Sequence, residues 1–289
     1  DDKDAIDKCK VLLSFLPSNN REKAPRTATK DDPERAAPEL DSIIPDRPSQ
    51  PHDMKKIIKA VVDDGFFFET LGRHARSVIT GFARFNGRPV GIFANQPMHA
   101  GGVIDVDAAD KGARFIRFCD LFNIPMVTFG DCPGYMIGSE QDWKGILRHG
   151  AKLLFAWADA TVPLISIMVR KSYAGAHYGM LDKAIGADFV FAWPTARVTI
   201  VGADTAASVI FAREIRESAK PEETRTKRIQ EYSELYENPY RGAERGCIDD
   251  IIMPSETRKI INRALDLLDN KWERAYQARP WRKYSNINL

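Results

Sequence analysis

The sequence predicts a layered α/β domain with a helix and a proline-rich connector ahead of it. From residue 53 onward, short apolar strand-like runs alternate with amphipathic helical runs, the pattern of a sheet covered by helices. Asn86-Gly87 separates two such runs by two residues, a strong local signal for a β-hairpin. Between Pro17 and Pro51 lie 7 of the chain's 17 prolines, and proline removes a backbone donor and disfavours helix in the residue before it. The 289 residues therefore divide into a helix with an extended linker (1–50) and the α/β domain (51–289).

Each element has its own signal. Ile6, Val11, Leu12, Phe15 and Leu16 recur at helical spacing, which predicts one amphipathic helix over Asp1–Leu16. Ser77–Phe85 and Arg88–Asn95 read as the two hairpin strands. Asp107–Asn123 reads as a helix with Phe115, Ile116, Cys119 and Phe122 on one face. Met126–Phe129 is a strand. Ser139 is expected to cap one long helix running through Trp143, Ile146, Leu147, Leu153 and Leu154 to Ala158, with Asp142 favouring its first turn. Leu164–Val169, Asp188–Ala192 and Arg197–Val201 are three further strands, and Ser255–Leu268 is a closing helix.

Composition removes several classes of function. The 42 basic and 40 acidic residues are interspersed and leave a formal charge of +2, so no basic footprint points to nucleic acid. Cys9, Cys119, Cys132 and Cys247 form no CxxC pair, which argues against a zinc ribbon or redox dithiol and for free thiols in a reducing compartment. The longest apolar stretch, Leu153–Val169, is broken by Asp159 and Pro163 and falls short of the ~20 residues of a membrane span. No charged-then-apolar secretory segment opens the sequence.

The chemistry is expected at strand ends. Gln96–Val103 and Arg170–Met180 both follow strands and place small residues before a helix, where backbone N–H groups can converge on one small anion. Glycine and alanine at such a turn more often serve close packing than catalysis. Asp131-Cys132-Pro133-Gly134 is a turn first and a pocket wall second. His149, His177, Ser172, Asp131 and Cys132 invite a triad or thiol mechanism, but their spacing fixes no nucleophile, base and orienter together. His149 reads as an ordinary helix residue, and Phe66, Phe67 and Phe68 as a core cluster. Arg170 and Lys171 suit a carboxylate or phosphate, or a solvated strand end.

Taken in order, LLSFLPSNN, PELDSIIP, DMKKIIKAVVDDGFFFE, VGIFANQP, DAADKGARFIRFCDLFNIPMVTFGDCPGY, ILRHGAKLLFAWADATVP, RKSYAGAHYGM, GADFVFAWPTARVTIVG and NPYRGAERGCIDDII with PSETR resemble the carboxyltransferase subunits of biotin-dependent acyl-CoA carboxylases, in their C-terminal half. The resemblance runs nearly end to end. It implies a crotonase-like fold and transfer of a carboxyl group from carboxybiotin, held on a carrier protein, to the α or vinylogous γ carbon of an acyl-CoA. In the family, backbone donors stabilise the ureido oxygen of biotin, and no metal is needed in this domain. Carried over, those donors map to Gly175 and Ala176, with Gly102 and Val103 as a second loop. Ala174, His177, Tyr178, Tyr173, Pro133 and Gly134 are implied to bind substrate.

The resemblance also implies partners: a biotin carboxylase, a biotin carboxyl carrier, an N-terminal carboxyltransferase half holding acyl-CoA, and further copies of the chain in a homo-oligomer. The compartment would be the cytoplasm, or the mitochondrial matrix in a eukaryote. Tyr178 stands where propionyl-type members tend to carry an acidic residue and acetyl-type members an aliphatic one, whereas methylcrotonyl-type enzymes and glutaconyl-CoA decarboxylase look similar to this chain. A biotin-dependent acyl-CoA decarboxylase and a non-catalytic binding module are the rival readings. A crotonase-type hydratase is disfavoured because no glutamate falls in or next to either glycine loop.

Overall fold

The computed structural model describes residues 1–47 and 49–271. Helix α1 (Asp2–Leu13) starts where the Asp1 carboxylate accepts from the Asp4 N–H, with Asp2 and Asp4 in its first turn and Lys10 in its last. Phe15, just beyond it, is buried and packs against Phe66, Phe68 and Phe82, so these phenylalanines serve the core. The connector is largely without regular structure but fastened down. Thr27 N–H donates to the Gly87 carbonyl, Ala37 N–H to that of Ser255, and the buried Arg258 guanidinium to the Asp31 and Asp32 carbonyls. Leu40, on a short 3-10 turn (Pro38–Ser42), is buried.

Asp53 caps α2 (Met54–Val61), which buries Met54, Ile57, Ile58 and Val61 at the spacing of one helix face. Strands β1 (Phe68–Thr70), β2 (Val78–Phe85) and β3 (Arg88–Asn95) run antiparallel. Asn86 (φ 49°) and Gly87 (φ 74°) make the β2–β3 turn, both in the left-handed region that such a turn requires. Asp105 caps α3 (Val106–Leu121), and β4 (Met126–Cys132) then pairs parallel to β3.

The single helix expected from Ser139 to Ala158 is instead two: α4 (Ser139–Lys144) and α5 (Ile146–Asp159). Gly145 separates them in a left-handed conformation (φ 82°), its N–H closing on the Asp142 and Gln141 carbonyls. Gly138, not Ser139, occupies the N-cap position of α4, and no side chain caps it. Trp143 and Leu147, whose spacing suggested a core face, are each 87% exposed.

Beyond α5 come β5 (Leu164–Tyr173), four residues longer than its apolar run, then α6 (Ala174–Gly179), β6 (Phe189–Ala192) and β7 (Arg197–Thr199). The helical stretch α7 (Ala203–Ile210), α8 (Ala212–Glu217), α9 (Pro221–Tyr236) and α10 (Tyr240–Glu244) carries little apolar periodicity and was not foreseen. Strand β8 (Asp250–Ile251) and helix α11 (Thr257–Leu267) follow, the latter entered through a 3-10 turn at Pro254–Glu256.

The strands form one sheet in the order β1-β2-β3-β4-β5-β6-β8, with β7 paired to the end of β5. From β3 onward all pairings are parallel, and alternate side chains feed two separate cores. Phe93, Ile116, Leu153 and Trp157 meet on the α3–α5 face. Ile57, Ile92, Val127, Ile261 and Leu265 meet on the α2–α11 face. The parallel strands release their chain at one edge, where a cleft can be assembled from successive turns.

Candidate active site

The end of β5 leads directly into a helix. Its last three residues pair with β7, Lys171 with Arg197, Ser172 with Val198 and Tyr173 with Thr199, which holds the strand straight to its final residue. Ala174 then turns the chain at φ 50°, a conformation that costs a non-glycine residue roughly 1–2 kcal/mol. Helix α6 begins there, so the N–H groups of Gly175 and Ala176 precede any acceptor within their own helix. Ala176 is fully buried, while Gly175 lines a cleft of about 770 Å³ together with Ala174, Tyr173, Pro133 and Gly134.

The opposite wall of that cleft comes from the unforeseen helices, through Gly202, Ala203, Ile229 and Ser233. Glu237, only 7% exposed, anchors this wall. Its carboxylate accepts from the Tyr173 hydroxyl at 3.0 Å, the Ala203 N–H at 2.8 Å, the Ser233 hydroxyl at 3.1 Å and the Arg197 guanidinium at 3.1 Å. Burial and this neighbouring carboxylate push the Tyr173 phenol up, so it stays a hydrogen-bond donor.

The turn after β3 is built differently. Ala100, Gly101 and Gly102 all have positive φ, and a Cβ on Gly102 would stand 2.8 Å from the Asp131 carbonyl oxygen, so both backbone and space demand glycine there. Its donors are spent inside the turn: Gly102 N–H bonds the His99 carbonyl at 3.0 Å and Val103 N–H that of Ala100 at 3.3 Å. Neither residue lines the cleft.

A buried polar network joins the strand ends. Asn95, at the end of β3, donates from Nδ2 to the Gly102 carbonyl at 2.8 Å and accepts the Asp131 N–H at 3.0 Å. The Asp131 carboxylate accepts from Arg170 Nε at 3.1 Å and from the Lys171 N–H at 3.0 Å. His52, buried 3.6 Å from Asp131, has its pKa pushed down to about 4 chiefly by burial and is therefore neutral. The two turns also meet through Tyr135. Ile104 N–H donates to Gly134 and Met136 N–H to Ile104, while the Tyr135 ring rests against Gly175, Gly150 and Gly179. A Cβ on Gly179 would come within 2.8 Å of the Tyr135 hydroxyl oxygen. Neither Asn95 nor the Gly150–Gly179 seat was read from sequence. The glycines' helical spacing carried no turn signal.

Of the remaining candidates, His177 follows Ala176 on α6. Its Nδ1 lies 2.7 Å from the Ser172 hydroxyl and its Nε2 lies 2.9 Å from Asp182 Oδ2. Ser172 is 5% exposed and points away from Lys171 and Tyr173, which line the cleft, so this chain of groups braces α6 and presents no nucleophile. Tyr178 is 42% exposed, its ring edge-on to His177 and outside the cleft lining. His149 pairs with Asp110 between α5 and α3. Burial drives the Cys132 thiol up to about 12, which removes it as a nucleophile at neutral pH. Among the described residues no group of three or more His, Cys, Asp or Glu is placed to hold a metal ion, and no helix is long and apolar enough to cross a membrane.

The carboxyl transferase domain model matches residues 1–287. The chain is 44% identical, over 99% of its length, to the carboxyltransferase subunit of propionyl-CoA carboxylase from Haloferax mediterranei, covering 54% of that protein. It is also 44% identical, over its full length, to methylmalonyl-CoA decarboxylase subunit alpha from Propionigenium modestum, covering 55%. Among solved structures, hexameric transcarboxylase 12S with methylmalonyl-CoA bound superposes with a TM-score of 0.90 at 42% identity, covering 98% of this chain and 53% of that one. The β subunit of geranyl-CoA carboxylase from P. aeruginosa gives 0.75 at 25% identity, covering 97% and 52%. The chain thus spans about half the length of these relatives.

Proposed function

The chain belongs to the carboxyl transferase domain family, with its crotonase-like α/β fold, and on that footing we propose that it forms the biotin-facing half of an acyl-CoA carboxyltransferase site. The observation that carries this is the β5–α6 turn, where the Gly175 and Ala176 N–H groups precede any acceptor within their own helix and Gly175 lines the cleft. The cleft suits a neutral bicyclic ligand: Ile200, Val201 and Ile229 give apolar walls, and Pro133, Gly134 and Ala174 permit close approach.

Carboxybiotin on a carrier protein would supply the carboxyl group and, once relieved of it, the base for the acyl α-proton. The chain's own part is electrostatic. Gly175 and Ala176 N–H groups donate to the ureido oxygen as negative charge gathers there, and a preorganised donor of this kind is worth about 3 kcal/mol in the transition state. The Tyr135 ring, packed against Gly175 and Gly179, helps hold the turn in the strained conformation that Ala174 adopts. The Tyr173 hydroxyl and Arg197 hold Glu237, and with it the far wall, in place. For the turn at Gly102 and Val103 to act as the second donor loop, the Val103 N–H would exchange its 3.3 Å bond to the Ala100 carbonyl for the ligand, which makes it the weaker donor. His177 braces the donor helix, and Tyr178 beside it faces the acyl group.

The acyl-CoA half would come from the portion of the relatives that this chain does not span. A biotin carboxylase, a carrier and further copies of the chain complete the assembly, in the cytoplasm or mitochondrial matrix. Decarboxylation is supported as a second reading, because carboxylase and decarboxylase relatives match at the same 44% identity. Mixing the chain with a separately produced acyl-CoA-binding half should give carboxyl transfer that neither piece gives alone. Steady turnover of acyl-CoA by the chain alone, or no transfer by a folded mixture, would contradict this division of labour.

A further inference from the structure

Among the described residues, the most deeply buried cations are satisfied by protein. Lys111 donates to the carbonyls of Leu71, His74, Ala75 and Val78. Arg258 pairs with Asp63, and Arg170 with Asp131. Arg197, half-buried in the cleft, is consumed by Glu237. Lys171 is the exception. It is half-buried in the same cleft as Gly175, yet no hydrogen bond or ion pair to its ammonium is found among the described residues. Its backbone is fixed by the N–H bond to Asp131 and by pairing with Arg197 on β7, so the side chain is committed to the cleft side of β5. Keeping an ammonium partly stripped of water is costly: burial lowers its pKa, Asp131 offsets part of that, and Arg170 and Arg197 add to it. Asp131, the carboxylate that acts on it, is engaged by Arg170, and Glu237 in the same cleft by Arg197. What the position lacks is an anion from outside.

We propose that Lys171 binds the carboxylate being transferred, while Gly175 and Ala176 hold the ureido oxygen. This rests on the function proposed above and adds a second, oppositely directed polar contact to the same cleft. A lysine suits the task because it makes a single-point contact that lets the group move from one carrier atom to the next. The same carboxylate exists in two forms, on the biotin nitrogen before transfer and on the acyl carbon after it, and both place a single negative charge beside the donor turn.

The test uses the assembly reconstituted with its acyl-CoA half, carrying Lys171→Met, Lys171→Gln or Lys171→Arg, with melting temperature measured for each. The probes are free carboxybiotin, an α-carboxylated acyl-CoA and the matching uncarboxylated acyl-CoA. A lost hydrogen bond to a charged group predicts that Lys171→Met and Lys171→Gln weaken the carboxylated probes about 10–100-fold. The KM for uncarboxylated acyl-CoA should stay within about twofold, and Lys171→Arg should recover most of the loss. Weakening of carboxybiotin alone places the contact before transfer, of the carboxylated acyl-CoA alone after it, and of both throughout. Equal effects on carboxylated and uncarboxylated probes, or none, would overturn the assignment. Absence of transfer by the unmutated assembly would remove the proposed function and this inference together, whereas a working assembly indifferent to Lys171 removes the inference alone.

Discussion

Two turns of this molecule look alike in sequence and differ in what their backbones have left to give. Gln96–Val103 follows β3, Arg170–Met180 runs from the last residues of β5 into α6, and both carry small residues. After β5 the helix begins at once, and its first N–H groups have no carbonyl behind them. After β3 a 3-10 turn intervenes, and the Gly102 and Val103 N–H groups close on His99 and Ala100. Glycine content sets which turns the chain can make. Whether donors remain depends on the element that comes next, and of the two only the turn after β5 opens a helix whose first N–H groups have no acceptor within it.

The two turns are also held by supports of different strength, and mutations should separate them. Arg170 secures the base of the β5 turn through Asp131, with both side chains almost wholly buried. Arg170→Met leaves a carboxylate stranded, and stability should fall by about 3–5 kcal/mol, read as a loss in denaturant midpoint. Asn95 ties the other turn to Asp131 by two neutral hydrogen bonds. Asn95→Leu, close in size, should cost about 1–3 kcal/mol by the same measurement. If Asn95→Leu proved the costlier, the ranking of the two supports would be reversed.

A smaller and purely functional effect is expected at Tyr178, which borders neither support. Tyr178→Ile in the reconstituted enzyme should change the ratio of kcat/KM between short and branched acyl-CoAs, by at most the ~10–200-fold that pocket volume supplies. Melting temperature should hardly move, since the ring is 42% exposed. An unchanged preference would take Tyr178 away from the acyl group.

Much of the sheet was legible because its signals are local. Asn86-Gly87 dictates the hairpin, and the apolar runs at Met126 and Leu164 are buried strands as their composition requires. The break at Gly145 was not legible, because the apolar spacing of Trp143, Ile146 and Leu147 continues across it. The helices from Ala203 to Glu244 were missed because their faces are largely polar: α9 buries no residue fully. With them went half of the cleft. Glu237 gives no local hint of its role, since its partners Tyr173 and Arg197 lie 64 and 40 residues away. The candidate turns themselves were found, as glycine-containing strand ends, but the bonding of their N–H groups is a property of three-dimensional closure and has no one-letter signature.

If the first-turn backbone donors after β5 carry the chemistry, proline substitution exposes it, because proline deletes an N–H. Ala176 lies in the first turn of α6, where an N–H has no helical partner to lose, and Val103 has φ −64°, a value proline adopts without strain. The measurement is kcat for carboxyl transfer by Ala176→Pro and Val103→Pro in the reconstituted enzyme, with circular dichroism and melting temperature establishing that each is folded. Ala176→Ser, which keeps the N–H, serves as the volume control. The expected loss is about 10²–10³-fold for Ala176→Pro, about tenfold for Val103→Pro and little for Ala176→Ser. A folded Ala176→Pro enzyme with near-normal kcat, or one surpassed in its loss by Val103→Pro, would contradict it.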